Sequence, residues 1–228
     1  MGSNVLLVLD LDDTLYPEIA FVESGFRAVA SHLQKHSGIS KSESTSFMAE
    51  DFRQFGRGKV FDRLKASFSI PEVTVREMVS IYRSHLPEIC LFPEALNLLR
   101  DLPSIISKKP YLVTDGNPRV QRSKIQALKL SQFFERTYCS RDFGMAAEKP
   151  STQVFEHIAK REGVDFAAIT YVGDDPSKDF HGVMAAGGRA IRVRTGRFAS
   201  VELEDIVAPE IDLPSLAHLS KILRDLTA

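Results

Sequence analysis

The stretch Asn4-Val-Leu-Leu-Val-Leu-Asp-Leu-Asp-Asp-Thr-Leu15 decides the fold of this chain. Its residues 5–9 form an unbroken apolar run, and acidic residues follow at once at Asp10, Asp12 and Asp13. Because helical and strand-like segments alternate later in the chain, the run predicts a central parallel strand that is buried on both faces. Carboxylates at the carboxyl end of such a strand lie where open α/β sheets bind ligands. The stretch therefore predicts an α/β fold with an acidic ligand site.

The two aspartates Asp10 and Asp12 are two positions apart, and on an extended segment such side chains point the same way. Two neighbouring carboxylates repel each other unless a cation joins them or one takes up a proton. A hard cation such as Mg²⁺ prefers oxygen ligands and keeps several waters and a phosphate oxygen. An Asp-rich turn after a strand is also common without any ligand, so the alternatives at this point are a metal site and a plain turn.

The composition limits the class of protein. A chain of 228 residues can form one large core, or a core with a smaller companion. A net charge of -1 provides no broad basic surface, so we expect neither nucleic acid nor a membrane surface as a partner. The two cysteines, Cys90 and Cys139, form no disulfide framework and predict small apolar residues in a reducing compartment. The N-terminal apolar run is too short for a signal peptide, so we expect a cytoplasmic protein.

Residues 17–86 differ from the rest, because their apolar residues follow helical spacing and strand patterns are absent. Val22 and Phe26, for example, belong to a series with three- and four-residue intervals. The stretch Thr74-Val-Arg-Glu77 matches a capping box at the start of a further helix. A block of helices this long is not an ordinary crossover between strands. We therefore predict an inserted helical domain at residues 16–90.

The remaining residues, 1–15 and 91–228, carry a regular alternation of helices and strands. Strands are predicted at 111–113, 137–139, 169–172 and, as the last one, 190–193; helices are predicted from Pro93, Pro118, Ser151, His181 and Leu216. Strands that alternate with helices imply a parallel sheet with right-handed crossovers. We predict an α/β catalytic core with a Rossmann-like parallel sheet. Arg192, Arg194 and Arg197, on the last strand and its exit, predict a solvated edge, with phosphate steering as the alternative.

Polar residues follow three of the predicted strands, at Asp10, Thr114 and Asp174. Because parallel strands end at one edge of their sheet, these residues can converge on one site. Asp10 can act as a nucleophile, and Asp12 can act as an acid and then as a base. Lys149 supplies a charge that balances an anionic centre. Phosphoryl transfer needs mainly positioning and charge neutralisation, and this set of residues provides both.

Four segments in this order resemble the motifs of the haloacid dehalogenase-like (HAD) hydrolases. They are Asp10-Leu-Asp-Asp-Thr14, the strand ending in Thr114, Lys149-Pro150, and Gly173-Asp-Asp-Pro-Ser-Lys-Asp179. The helical insertion between the first two segments resembles the C1-type cap of that family. The resemblance implies a Rossmann-like core with a helical cap domain. It also implies a phosphomonoester phosphatase that uses Mg²⁺ and acts on a small phosphorylated metabolite.

The resemblance also implies roles for individual residues. Asp10 would form an aspartyl-phosphate, and Asp12 would protonate the leaving alcohol and then activate water. Mg²⁺ would be bound by the carboxylates of Asp10 and Asp174 and by the backbone carbonyl of Asp12. Thr114 and Lys149 would bind the phosphoryl group. The other implied residues are Asp115 and Gly116 in the turn after Thr114, Asp175 and Asp179 next to the metal ligands, and Arg57 and Lys59 in the cap.

Several of these assignments have an alternative. Asp115 stands where a neutral Asn is frequent in the family, and its charge would tune phosphate affinity or orient the cap. Asp175 would either lie near the metal or cap the turn that follows it. Asp179 would hold Lys149 or a metal-bound water rather than touch the metal. Arg57 and Lys59 would either contact the substrate or lie in a solvated turn between helices.

The presence of Asp12 favours phosphate chemistry over the other reactions of the family, because its dehalogenases and phosphonatases lack this aspartate. A sugar phosphomutase with the same nucleophile retains it. A catalytically silent regulator that binds a phosphorylated metabolite is a third interpretation. The sequence determines neither the substrate nor the oligomeric state.

Overall fold

The structure is a computed structural model that describes residues 5–202 and 208–227. The chain forms two compact units, one made of Met1–Glu18 with Cys90–Ala228 and the other of Ile19–Ile89. Our predicted boundaries lie after residues 15 and 90, next to these. Residues 1–4, 203–207 and 228, which belong to the predicted core, lie outside the described residues.

The unit Ile19–Ile89 is built from four helices: α1 (Glu18–Ser37), α2 (Lys41–Phe55), α3 (Val60–Ser67) and α4 (Val75–Ser84). The Thr74 hydroxyl accepts a hydrogen bond from the backbone N–H of Glu77 at 3.1 Å, so the predicted cap begins α4. The buried face of α1 supplies much of this unit's own core, including Val22, Phe26 and Leu33. Helical spacing of apolar residues therefore predicted these elements correctly.

Over the residues that the structure describes, the other unit contains a six-stranded sheet, and all of its neighbouring strands run parallel. The strands are β1 (Leu6–Leu9), β2 (Tyr111–Thr114), β3 (Arg136–Cys139), β4 (Ile169–Gly173), β5 (Arg189–Val193) and β6 (Ile211–Leu213). Their spatial order is β3-β2-β1-β4-β5-β6. The predicted α/β class with a parallel sheet is confirmed.

In the described part of this unit, five α-helices accompany the sheet: α5 (Pro93–Asp101), α6 (Pro118–Ala127), α7 (Gln153–Glu162), α8 (His181–Ala185) and α9 (Leu219–Thr227). Pro93 and Pro118 both occupy the first turn of their helices, where the missing N–H of proline has no intrahelical partner to lose. The Asn117 side chain caps α6 by accepting from the Arg119 N–H at 3.0 Å. This cap fixes the start of the helix that follows Thr114.

The central strand β1 is buried along its whole length, as its apolar run predicted. Leu9 pairs in register with Leu112 of β2 on one side and with Val172 of β4 on the other. The backbone N–H of Asp10 continues this ladder by donating to the Val172 carbonyl at 2.9 Å. The residues that follow β1, β2 and β4 therefore meet at one edge of the sheet.

The predicted end of the sheet was wrong. Strand β5 is not the last strand, because the three-residue strand β6 pairs with it in parallel. Arg192 is accordingly 0% exposed, and its guanidinium donates to the backbone carbonyls of Phe198 (2.8 Å) and Val201 (2.7 Å). The expectation that Arg192 lies on a solvated edge is therefore also wrong. A three-residue strand is too short to leave a periodic signal in the sequence.

Among the described residues, no helix combines the length and the apolar character that crossing a bilayer requires.

Candidate active site

Three buried carboxylates meet at the carboxyl end of the central strand. Asp10 follows β1, while Asp174 and Asp179 belong to the turn after β4. Each offers an oxygen atom, and these three atoms lie within 4.8 Å of one another. Oxygen donors from buried carboxylates are the ligands that a hard divalent cation prefers. The donor set therefore fits Mg²⁺.

The ammonium group of Lys149 lies against this cluster. Its Nζ is 2.6 Å from Asp10 Oδ1 and 2.8 Å from Asp179 Oδ1, and it also donates to the Tyr171 hydroxyl at 2.6 Å. The Lys149 side chain is only 2% exposed. Burial would lower the pKa of Lys149, but the charges of Asp10 and Asp179 raise it well above its ordinary value. Lys149 is therefore a permanent cation between two carboxylates.

One ammonium among three carboxylates leaves an excess of negative charge. Burial, with the nearby charge of Asp179, raises the pKa of Asp10 to about 7 although Lys149 opposes the shift. Burial, with the charges of Asp10 and Asp179, raises the pKa of Asp174 to about 9. A divalent cation can replace the protons that these buried carboxyl groups hold near neutral pH, and its charge then stabilises the ionised carboxylates.

The turn after β4 is shaped to hold this cluster. Asp179 Oδ2 accepts the backbone N–H of Asp175 at 2.9 Å, and Thr14 Oγ1 donates to Asp174 Oδ1 at 3.1 Å. A Cβ atom at Gly173 would overlap the Asp179 side chain, so glycine is required at the end of the strand. The close approach of Asp179 thus explains why a glycine stands at position 173 of the fourth motif.

Asp12 lies beside this cluster with a different set of partners. Asp12 Oδ1 accepts the Tyr16 hydroxyl at 2.5 Å and the Lys124 Nζ at 2.7 Å. Asp12 Oδ2 accepts the Gln121 amide at 2.7 Å, and the same amide lies 2.6 Å from Thr114 Oγ1. Burial would raise the pKa of Asp12, but the Lys124 charge and these hydrogen bonds lower it below its usual range.

The sequence analysis missed the three residues that surround Asp12. Gln121 and Lys124 are both buried polar residues on α6, four and seven positions after its cap at Asn117. Two polar side chains three residues apart share one face of a helix. Their position directly after the strand that ends in Thr114 was the available signal. Tyr16, close behind the first acidic motif, carried none.

The turn after Thr114 is held by polar partners of its own. Asp115 Oδ1 accepts the Ser140 hydroxyl at 2.6 Å, and Asp115 Oδ2 lies 3.3 Å from Lys178 Nζ. Burial would raise the pKa of Asp115, but the charges of Lys149 and Lys178 lower it. The backbone N–H of Gly116 donates to Glu148 Oε1 at 3.0 Å. The charge of Asp115 thus has a basic partner, Lys178, which the sequence analysis did not select.

The remaining predicted residues lie at two places. Asp175 Oδ1 accepts the Ser177 hydroxyl at 2.6 Å and the Ser177 N–H at 3.0 Å, which is the turn-capping geometry named above as its alternative. Arg57 and Lys59 lie in the turn between α2 and α3 of the helical unit, and both are exposed. Their contact with a substrate stays a prediction.

Comparisons with known proteins show which family the chain resembles along its length. The family model described as haloacid dehalogenase-like hydrolase matches residues 6–187. The glyceraldehyde 3-phosphate phosphatase of Methanopyrus kandleri is 26% identical, over 96% of this chain and 97% of its own. The phosphoserine phosphatase of Thermus thermophilus is 27% identical, over 84% of this chain and 89% of its own.

Among solved structures, the HAD hydrolase YfnB of Bacillus subtilis, crystallised bound to magnesium, matches with a TM-score of 0.69 at 18% identity. The match covers 96% of this chain and 98% of that one, and it shows the shared fold. Since the family model spans the segment from the first strand to the helix after β4, it includes each of the four motifs. The chain belongs to the haloacid dehalogenase-like hydrolases.

Proposed function

We propose that this hydrolase is a Mg²⁺-dependent phosphomonoester phosphatase that forms an aspartyl-phosphate on Asp10. The observation that carries the proposal is the buried cluster in which Asp10 lies 2.6 Å from Lys149 and next to Asp174 and Asp179. Phosphatase relatives that align along nearly the whole chain support the same reaction. Asp12 would exchange a proton with the reacting oxygens.

The substrate is a small phosphorylated metabolite. Four relatives that match 96% of this chain are named glyceraldehyde 3-phosphate phosphatases, and a fifth is named phosphoserine phosphatase. Both named substrates are phosphate monoesters of three-carbon alcohols. We take this class, a short phosphorylated alcohol with a second polar group, as the substrate class of this enzyme.

The chain's own residues account for binding and charge. The Asp10 and Asp174 carboxylates and the backbone carbonyl of Asp12 would hold Mg²⁺, which when bound neutralises charge on the phosphoryl oxygens. Thr114 and Lys149 bind the phosphoryl group, and Lys149 also holds Asp10 in place. The N–H groups of the turn after Thr114 are the remaining donors for the phosphoryl oxygens.

The reaction has two steps that share one nucleophile. Because the pKa of Asp12 is lowered in the free enzyme, Asp12 takes up a proton when the substrate binds. An Asp10 carboxylate oxygen then attacks phosphorus while the bond from phosphorus to the ester oxygen breaks, and Asp12 gives that proton to the leaving oxygen. Asp12, now a carboxylate, takes a proton from water, whose oxygen attacks phosphorus. The bond from phosphorus to Asp10 breaks, and inorganic phosphate leaves. The proton that Asp12 lost in the first step is thereby restored.

The helical unit Ile19–Ile89 would act as the cap domain of this enzyme. Lids in such enzymes exclude bulk water during the reaction and select small substrates. Arg57 and Lys59 are the two exposed cations between α2 and α3 that we propose as substrate contacts.

The test compares Asp10→Asn with the wild-type enzyme on glyceraldehyde 3-phosphate and phosphoserine, with Mg²⁺ and with a chelator. Asp142→Asn is the matched control, because Asp142 forms an exposed pair with Arg122. We expect the wild type and the control to release phosphate only with Mg²⁺, and Asp10→Asn to release none. Full activity of Asp10→Asn, or activity in the chelator, would refute the proposal.

A phosphorus NMR time course identifies the reaction. Free inorganic phosphate is the expected product. An isomeric sugar phosphate that appears without inorganic phosphate would show a phosphomutase instead. Binding of phosphorylated metabolites without any turnover would show a regulator.

A further inference from the structure

Asp12 has two oxygen atoms with different surroundings. Oδ1 accepts from Tyr16 at 2.5 Å and from Lys124 at 2.7 Å. A carboxylate oxygen offers two lone-pair sites, so these two donors fill Oδ1. Oδ2 accepts the Gln121 amide at 2.7 Å, which accounts for one of its two sites. The two oxygens therefore differ in their capacity to carry a transferable proton.

The two donors to Oδ1 are held rigidly. Tyr16 is fully buried, and Lys124 is 3% exposed although it is a lysine. Burial and the charge of Asp12 raise the pKa of the Tyr16 hydroxyl, so Tyr16 stays a neutral donor. A buried ammonium is costly unless it is paired, which ties Lys124 to Asp12. Helix α6 thus fixes the Asp12 side chain from within the same unit of the fold.

Oδ2, by contrast, has Gln121 as its hydrogen-bond donor. The Gln121 amide that donates to Oδ2 lies 2.6 Å from the Thr114 hydroxyl, so Gln121 links the two side chains. An acid that serves a phosphoryl group must reach the ester oxygen within hydrogen-bond distance. Oδ2 is the Asp12 oxygen that keeps an open lone-pair site for this contact, and Gln121 connects it to Thr114.

We propose that Tyr16 and Lys124 are positioning residues that anchor Oδ1 of Asp12, leaving Oδ2 to exchange the proton with the leaving group and with water. This inference rests on the proposed phosphatase function. It adds that the acid–base aspartate is oriented by a tyrosine just after the first motif and a lysine from α6. Both residues donate to Asp12 Oδ1, so both would act through Asp12.

The test uses two substrates with different need for an acid. The leaving group of 4-nitrophenyl phosphate departs as a stable anion, whereas the alkoxide of glyceraldehyde 3-phosphate needs a proton. For Tyr16→Phe and for Lys124→Met we expect kcat/KM to fall about 10- to 100-fold on glyceraldehyde 3-phosphate. On 4-nitrophenyl phosphate the expected fall is under about 3-fold. A purely structural defect lowers both values equally, and equal losses or no loss would overturn the proposal.

Tyr111→Phe is the matched control. The Tyr111 hydroxyl also donates to a carboxylate at 2.5 Å, that of Glu162, and Tyr111 is also buried. It lies at the first residue of β2, at the opposite end of that strand from Thr114. We expect Tyr111→Phe to leave the ratio of the two kcat/KM values unchanged.

Two further measurements separate this proposal from the phosphatase assignment. In an Asp12→Asn background, Tyr16→Phe should cause no additional loss, because positioning acts through Asp12; a full additional loss would overturn it. Crystal structures of Tyr16→Phe and Lys124→Met should show the Asp12 carboxylate displaced or in two conformers, and an unmoved carboxylate in both would overturn the proposal. The crystal structures test the positioning of Asp12 even if the wild-type enzyme hydrolyses no phosphate ester. That lack of hydrolysis would refute the phosphatase function and leave the positioning proposal to be tested by the structures.

Discussion

Replacing Lys149 with methionine is the sharpest test of the charge balance in the buried cluster. The substitution keeps most of the volume and removes the ammonium that lies 2.6 Å from Asp10 and 2.8 Å from Asp179. Removing one partner of a buried ion pair costs about 3–5 kcal/mol, because the other charge stays buried and unpaired. For a chain of this size each kcal/mol lowers Tm by about 2–4 °C, so we expect a fall of about 6–20 °C without metal.

The stability that is lost in Lys149→Met should grow as pH rises. The carboxyl groups of Asp10 and Asp174 have ordinary pKa values of 3.8, which are raised to about 7 and about 9 in the folded chain. Between the ordinary pKa of 3.8 and the raised values, these two groups bind more protons in the folded chain than in the unfolded chain. The free energy of unfolding therefore falls as pH rises through this range. Since Lys149 opposes both shifts, its removal raises these pKa values further and makes the fall steeper.

The assay is urea unfolding of the metal-free protein at pH 5.5 and at pH 8, for the wild type and two variants. Lys108→Met is the control, because Lys108 pairs with Glu162 at a similar distance of 2.6 Å but is 46% exposed. An exposed pair of this kind contributes about 0–1 kcal/mol. If Lys149→Met were no more destabilising than Lys108→Met, or equally destabilising at both pH values, the description of the cluster would be refuted.

Three further predictions concern other parts of the molecule. Mg²⁺ affinity measured by calorimetry should rise between pH 6 and pH 9, because Asp10 and Asp174 must lose their protons to bind it. Cys90, which is exposed, should react quickly with a thiol reagent, whereas Cys139, buried with its pKa raised to about 11, should react only after unfolding. Gly25→Ala should lower the free energy of unfolding by about 1–3 kcal/mol, because its Cβ would overlap the Tyr82 ring.

Each of these predictions has a direct control. Asp174→Asn should abolish the pH-dependent Mg²⁺ binding, and retained binding would contradict the donor set. Cys90→Ser should remove the fast thiol phase and leave the slow one. Gly58→Ala places a Cβ in open space within the same helical unit, so it should change stability little. A Gly25→Ala variant as stable as Gly58→Ala would show that α1 and α4 do not need this close approach.

The family, the fold class and the enzyme class could be predicted from local sequence, and each is confirmed. An apolar run ending in aspartates specifies a buried parallel strand, because side chains on both faces must be apolar. Helical spacing predicted α1, and the capping box predicted the start of α4. The C1-type cap, the domain roles and the site roles stay predictions.

Other features depend on segments far apart in the chain. The short strand β6 and the burial of Arg192 follow from pairing across the sheet, which a three-residue segment cannot signal. The exposure of Cys90 was likewise not predictable from its apolar character. Lys178, which neutralises Asp115, is 63 positions away from its partner in the chain.

By itself the sequence determined which chemistry is present: carboxylates at strand ends, a threonine and a lysine, each placed by local patterning. Only the tertiary structure decided how the charges are paired. It placed Lys149 between Asp10 and Asp179, and it turned α6 so that Lys124 reaches Asp12 across 112 positions of chain. The physical reason is that hydrophobic spacing specifies which face of an element is buried, whereas partners of buried charges depend on which elements the sheet order brings together.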